Sequence, residues 1–176
     1  MRILLLFIGL FIGLFIAPVL EAAADPVEGF WWTEDREGIV EVRQSEDGPV
    51  GRIVWLLDAV HPEGHEKAGQ PVLDEENPDA ELRSRPVLGL RILEGFEQHR
   101  EGDWRGGEIY DPENGRTYRA RMRIAAGGEQ LNLRGYVGTP MLGRTARWER
   151  YQEEDLPEGS IDGDIPDNED NDKATQ

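Results

Sequence analysis

The chain has 176 residues, no cysteine, and 36 acidic against 19 Lys and Arg side chains, a net charge of −17. That length holds one domain; without cysteine there is no disulfide, thiolate nucleophile or cysteine-ligated zinc. So negative a surface repels nucleic acid and anionic membranes rather than seeking them, and stability must come from a core, which residues 25–151 are long enough to bury.

Residues 1–24 read as a signal peptide. Arg2 supplies a positive start, residues 3–20 are almost unbroken apolar sequence, and Ala22, Ala23 and Ala24 place small residues where cleavage is decided, before Asp25. An uncleaved anchor is the competing reading, since the run approaches the ~18 residues that span a bilayer; Pro18, Glu21 and the alanines favour cleavage. No cysteine follows the run, so a lipid anchor is excluded. The expected product is periplasmic or secreted, cut near Ala24/Asp25, with no stable membrane anchor.

Residues 29–33 (GFWWT) open the domain as a short aromatic strand. Residues 39–44 and 50–57 flank Asp47-Gly48, a pair suited to a two-residue hairpin turn; that turn sets Val42 opposite Ile53 and Val40 opposite Trp55. Residues 58–86 are rich in Pro, Gly, Asp, Glu and Asn, longer than an ordinary connection and without a sustained period. Within them Asn77 and Pro78 suit the cap and first position of a short helical turn to Leu82. This long interruption passes through Arg83 and Arg85 and becomes apolar again from Val87, with Leu88, Leu90, Ile92 and Phe96 on one face.

The second half alternates most cleanly. Residues 104–111 and 117–124 flank Pro112-Glu113-Asn114-Gly115-Arg116, and an Asn-Gly turn there sets Ile109 opposite Ala120 and Glu108 opposite Arg121. Gly127-Gly128 turns the chain again, matching Ile124 with Leu131 and Met122 with Leu133. The last strand, residues 142–151, puts Ala146 and Trp148 on one side. Residues 152–176 carry ten acids against Lys173, a net of −9, and read as a disordered, self-repelling acidic tail. About eight short strands in up-and-down order predict an all-β fold, an antiparallel barrel with one long loop at 58–86, because closure removes exposed edges. A two-sheet sandwich is the runner-up.

Several residue groups invite a chemical role. Arg83 and Arg85, two apart on an extended segment, point the same way and offer a fork for a carboxylate or phosphate; alternatively they pair with Asp74, Asp79 or Glu81 and staple the loop. Arg119, Arg121 and Arg123 alternate with the inward set and read as a solvated outer face. Arg144 and Arg150 share parity with Trp148, so they face inward if it does, and an arginine there needs a carboxylate, a ring or a ligand. His61 and His65 have the spacing of a helical metal pair, but Pro62 and Gly64 break the helix that would align them, so no metal site is expected. Ser45, Ser84 and Ser160 lie in no Gly-x-Ser-x-Gly elbow, and no glycine loop cradles a phosphate. Neither catalytic residues nor a cofactor are indicated.

Gly29-Phe30-Trp31 resembles the Gly-x-Trp of the lipocalin-like barrels. The combination NPDAELRSRPVLGL (77–90), GGEIYDPENGRTY (106–118), LRGYVGTPMLGRT (133–145) and the closing Trp148-x-Arg150 resembles the exported bacterial family known as DUF2147. The resemblance implies a lipocalin-like barrel outside the cytoplasm and no assigned activity. It also implies closure of one barrel end by Gly29, Trp31, Trp148 and Arg150, with Arg150 lying over Trp31. The chain departs from the family at Pro49-Val50-Gly51, where a cysteine often sits, which argues against a redox role there.

The expected function is that of an exported barrel binding a small apolar or amphipathic ligand. Trp55, Phe96, Trp104 and Tyr136 would contact its body, and Arg83, Arg85 or Arg144 an anionic group. The alternative is a non-catalytic envelope protein whose barrel is filled by its own side chains and whose long loop or tail meets an envelope partner.

Overall fold

The computed structural model describes residues 26–152 and 157–161; the leader read in residues 1–24 and most of the acidic tail lie outside them. Ten strand segments follow one another: β1 (Gly29–Trp32), β2 (Gly38–Ser45), β3 (Gly48–Leu56), β4 (Arg91–Glu94), β5 (Glu97–Arg100), β6 (Asp103–Arg105), β7 (Glu108–Asp111), β8 (Arg116–Ala125), β9 (Gln130–Tyr136) and β10 (Arg144–Tyr151). Every pairing is antiparallel, and the order β1, β2, β3, β4, β7, β8, β9, β10 returns to β1. β5 continues β4 beyond Gly95 and Phe96, and β6 precedes β7 across Gly106 and Gly107, with one register from Leu93 opposite Ile109 to Gln98 opposite Trp104, after which it shifts before Arg100. The result is the eight-stranded up-and-down barrel expected from the alternation, not a sandwich.

Two hairpin registers differ from the sequence expectation, each by two residues. Ser45 faces Gly48, so the first turn is Glu46-Asp47; Val42 faces Gly51 and Val40 faces Ile53. Gly48 serves a different need: its φ is 104°, and a Cβ there would lie 2.0 Å from the Phe96 carbonyl oxygen. Asp111 faces Arg116 across a four-residue turn, which sets Ile109 against Tyr118 and Glu108 against Arg119 rather than Arg121. A two-residue slip keeps every side chain on its face, so the expected core survives both corrections. The Gly127-Gly128 turn behaves as expected, matching Met122 with Leu133 and Ile124 with Leu131.

The inward side chains form one core that includes Trp31, Val40, Val42, Ile53, Leu93, Phe96, Trp104, Met122, Leu131, Leu133 and Trp148. Its aromatic members are the largest single contributors, each removing about 150–250 Å² from water at about 25 cal/mol per Å². Beside it Asp103 is buried, accepting from Arg105 at 3.0 Å and Arg123 at 3.3 Å. The Arg105 hydrogen bond, opposed by burial and supported by the charges of Arg105 and Arg123, pulls the Asp103 carboxyl down to about 2. It thereby ties β6 to β8.

The topology gives the barrel two unlike ends. Residues 26–28 and the turns at 46–47, 101–102 and 126–129 meet at one; the loops 33–37, 57–90, 112–115 and 137–143 meet at the other. A bulge between Ile39 and Val40 leaves Val54 as an extra residue on β3, and its carbonyl accepts from Ile161 N at 2.9 Å. Residues 157–161, in the tail, thus return to the barrel wall.

Candidate functional site

The long loop folds back on itself twice. His61 N donates to Gln70 O and Val72 N to Ala59 O, then Val87 N donates to Val72 O and Asp74 N to Arg85 O, at 2.9–3.0 Å. This ribbon delivers Val72, Val87, Leu88 and Leu90 to the barrel core. It also places Asp74, 0% exposed, among three donors. Tyr110 Oη donates to Asp74 Oδ1 at 2.5 Å; Arg85 Nε and Asn77 Nδ2 donate to Oδ2 at 3.0 and 2.8 Å. A buried carboxylate is tolerable only with such a shell. Burial, then the hydrogen bond and charge of Asp74, push the Tyr110 hydroxyl up to about 12.

Around this hub the remaining polar residues serve the backbone. Asn77 Oδ1 accepts from Asp79 N at 2.9 Å, starting a turn over residues 79–85, and Arg83 Nε donates to Asn77 O at 2.7 Å. Arg85 lies with its guanidinium carbon 5.9 Å from the Tyr110 ring centre. Both arginines hold the loop, and they do so on different partners. The hub also needs Gly115: its φ is 66°, and a Cβ would fall 1.8 Å from Glu76 O. Gly115→Ala is expected to push the loop off the β7–β8 turn and cost about 1–3 kcal/mol, read as a lower urea midpoint with faster amide exchange at residues 74–77. Unchanged exchange there would show that the loop is held elsewhere.

The other candidates divide between interior and exterior. Phe96 and Trp104 are fully buried in the barrel. Trp55 is on the outside: the Val54 bulge turns it away from Val40, opposite Ile39, where it packs edge-on to Trp32 with ring centres 5.4 Å apart. Tyr136 pairs with Arg119 on the outer wall of β9. The Arg144 side chain is 88% exposed and pairs with Glu34 at 3.1 Å instead of pointing inward; β10 begins beyond the last β1 pairing, so its first residue sits at the rim, where strand parity no longer decides direction. His61 and His65 stack with ring centres 4.3 Å apart and planes 7° from parallel, and His65 Nδ1 accepts from Lys67 N.

At the opposite end Arg150 stacks over Trp31, 4.1 Å from ring centre to guanidinium carbon. Its nitrogens donate to Gly128 O, Glu28 O and Pro26 O at 2.7–2.8 Å, and burial lowers its pKa against the charge of Glu129. Gly29 leaves room: a Cβ there would be 2.6 Å from a guanidinium nitrogen. Trp31 Nε1 donates to Val27 O at 2.9 Å, and Trp148 joins the same core.

Sequence reasoning placed Asn77 as a turn cap, which it is, but missed its second contact, to Asp74, and missed Tyr110 altogether. The one available signal was the pairing of two turn-rich segments, NPD and YDPENG, each carrying polar side chains that a bare turn does not require.

Eight antiparallel strands in meander order, pinned at one end by an arginine over a buried first-strand tryptophan, define a lipocalin-like barrel. The sequence matches the family described as "Uncharacterized protein conserved in bacteria (DUF2147)" over residues 29–150, and the chain belongs to that family. Protein HP1028 from the human pathogen Helicobacter pylori, described as belonging to the lipocalin family, has a similar structure. The TM-score is 0.60 and the identity 21%, over 72% of this chain and 84% of that one, a likeness of fold alone. No significant match is found among curated proteins.

Proposed function

We propose that this protein is an exported lipocalin-like binder that takes one small, uncharged, largely apolar ligand into its barrel, with an acceptor atom of the ligand facing Trp104 Nε1. The observation that carries this reading is an orphaned donor. Trp104 is fully buried, and among the described residues its Nε1 has no hydrogen-bond partner, whereas the equally buried Trp31 donates to Val27 O. A buried donor without an acceptor costs about 1–3 kcal/mol, which a carbonyl or hydroxyl of a ligand relieves.

An anionic ligand fits the loop end poorly. Arg85 and Arg144 are already paired with Asp74 and Glu34. Burial, then Asp111, Asp35 and Glu37, push the Glu113 carboxyl up, which marks the rim as acidic. Export rests on the leader composition of residues 1–24. The filled-barrel alternative is supported by the size of the fully buried set, which includes Trp31, Trp104, Phe96 and Met122.

Denaturing the protein purified from its own compartment, followed by mass spectrometry, separates the two. A stoichiometric small molecule that is absent from the Trp104→Phe variant is expected. No small molecule, with Trp104→Phe at least as stable as the parent, would establish the filled barrel.

A further inference from the structure

We propose that the outer wall of β8, β9 and β10, with the loop 137–143, docks on the surface of an anionic lipid bilayer. The first observation is the loop. Val137, Met141 and Leu142 are 72%, 89% and 83% exposed, yet their backbone is held. Arg134 donates through Nε to Pro140 O at 2.6 Å, and through its other nitrogens to Met141 O and Thr145 Oγ1 at 3.3 and 2.9 Å. Leu142 N donates to Thr139 O. At Gly143 a Cβ would lie 2.4 Å from Gly135 O. A tip fixed by its backbone bonds and by Arg134, presenting three apolar side chains to water, is built to be covered.

The wall beside the tip supplies the second observation. The register sets Arg121 directly opposite Arg134, a like-charge pair that sheets avoid. Arg119, Arg121 and Arg147, all on the outward face, have no ion pair or side-chain hydrogen bond within the described residues. The partners of Arg134 are neutral oxygens, so its charge is also uncompensated. Glu108 stands opposite Arg119 across the β7–β8 pair, and Glu149, two residues from Arg147, is held by Arg36; Arg121, Arg134 and Arg147 remain without a carboxylate partner among the described residues, a local field opposite to the average one in a chain of net charge −17.

An apolar tip at the edge of a basic wall matches an anionic bilayer: the arginines lie against the headgroups and the tip enters the acyl boundary. Docked on this side, the barrel turns its acidic loop end along the surface rather than into it. The net charge argues against membrane binding on average; the distribution permits it through this wall alone.

Flotation of the full chain with vesicles tests this. Binding is expected to vesicles of phosphatidylglycerol in phosphatidylcholine, not to phosphatidylcholine alone, and to vanish at roughly 0.5 M salt. Met141→Ser with Leu142→Ser, or Arg121→Glu with Arg147→Glu, should each weaken it at least about tenfold, while Trp104→Phe leaves it unchanged. The proposal fails if the parent does not float, or if neither pair weakens flotation. It fails equally if sedimentation shows a dimer that the Met141 and Leu142 changes dissociate, which assigns the face to a second copy. Flotation that appears only after the acids of residues 162–172 are changed to amides would assign the arginines to the tail.

Discussion

Asp74→Ala is expected to lower the stability of the barrel by about 3–5 kcal/mol, the cost of leaving the partner of a buried ion pair uncompensated. The carboxylate is fully buried, and its removal strands Arg85, Asn77 and the Tyr110 hydroxyl together. The urea midpoint should fall while the slope stays constant. Tyr110→Phe removes only one of the three donors and should cost about 1 kcal/mol. A loss below about 1 kcal/mol for Asp74→Ala would mean that the ribbon closes without its acid.

The same hub has a pH signature at the alkaline side. An unfolded tyrosine loses its proton at about 10, whereas the folded Tyr110 holds it to about 12. Between those values the folded state binds more protons than the unfolded one, so stability falls as pH rises. The stabilisation from this shift is complete below the unfolded pKa and lost through the folded one. Tyr110→Phe should remove that part of the slope; on the acid side the slope comes instead from Asp103, held down to about 2 by Arg105, whose contribution is lost as pH falls.

What was legible in the sequence follows from strand physics. Alternation with period two reports a face, and it reported the core correctly even where both long hairpins were slipped, because each slip was an even number of residues. The turns misled because glycine answers two demands with one residue. Gly48 and Gly115 were read as turn formers, whereas a close backbone neighbour, Phe96 O or Glu76 O, also requires each of them. Trp55 was misplaced by a single-residue bulge, which reverses parity and leaves no mark in composition. Arg144 was misplaced at a strand end, where β9 flanks it on one side and β1 no longer does on the other. The Asp74 hub joins residues 36 positions apart; proximity of that kind arises from closure of the barrel and has no local period to announce it. The orphaned Trp104 N–H is similarly invisible, since only the finished interior decides whether a donor meets an acceptor.

Arg150→Ala should cost about 2–4 kcal/mol and loosen the end opposite the long loop, because one side chain there performs three separate attachments. It covers the Trp31 ring, and it donates to Gly128 O on the β8–β9 turn and to Glu28 O and Pro26 O on the entering chain. Hydrogen bonds from a charged donor contribute about 1.5–3 kcal/mol each, and a ring-stacked cation about 0.5–2; the groups act as a unit, so the sum overstates the loss. Val27 and the Trp31 N–H that it accepts depend on the same anchor, so amide exchange should accelerate first at residues 27–31 and leave the Asp74 ribbon protected. Arg150→Lys keeps the charge but replaces the planar fork with one ammonium. It should recover less than about half of the lost stability, since a single ammonium cannot reach three diverging carbonyls while covering the ring. Full recovery by lysine would show that charge over Trp31, and not the three-way backbone attachment, holds this end of the barrel shut.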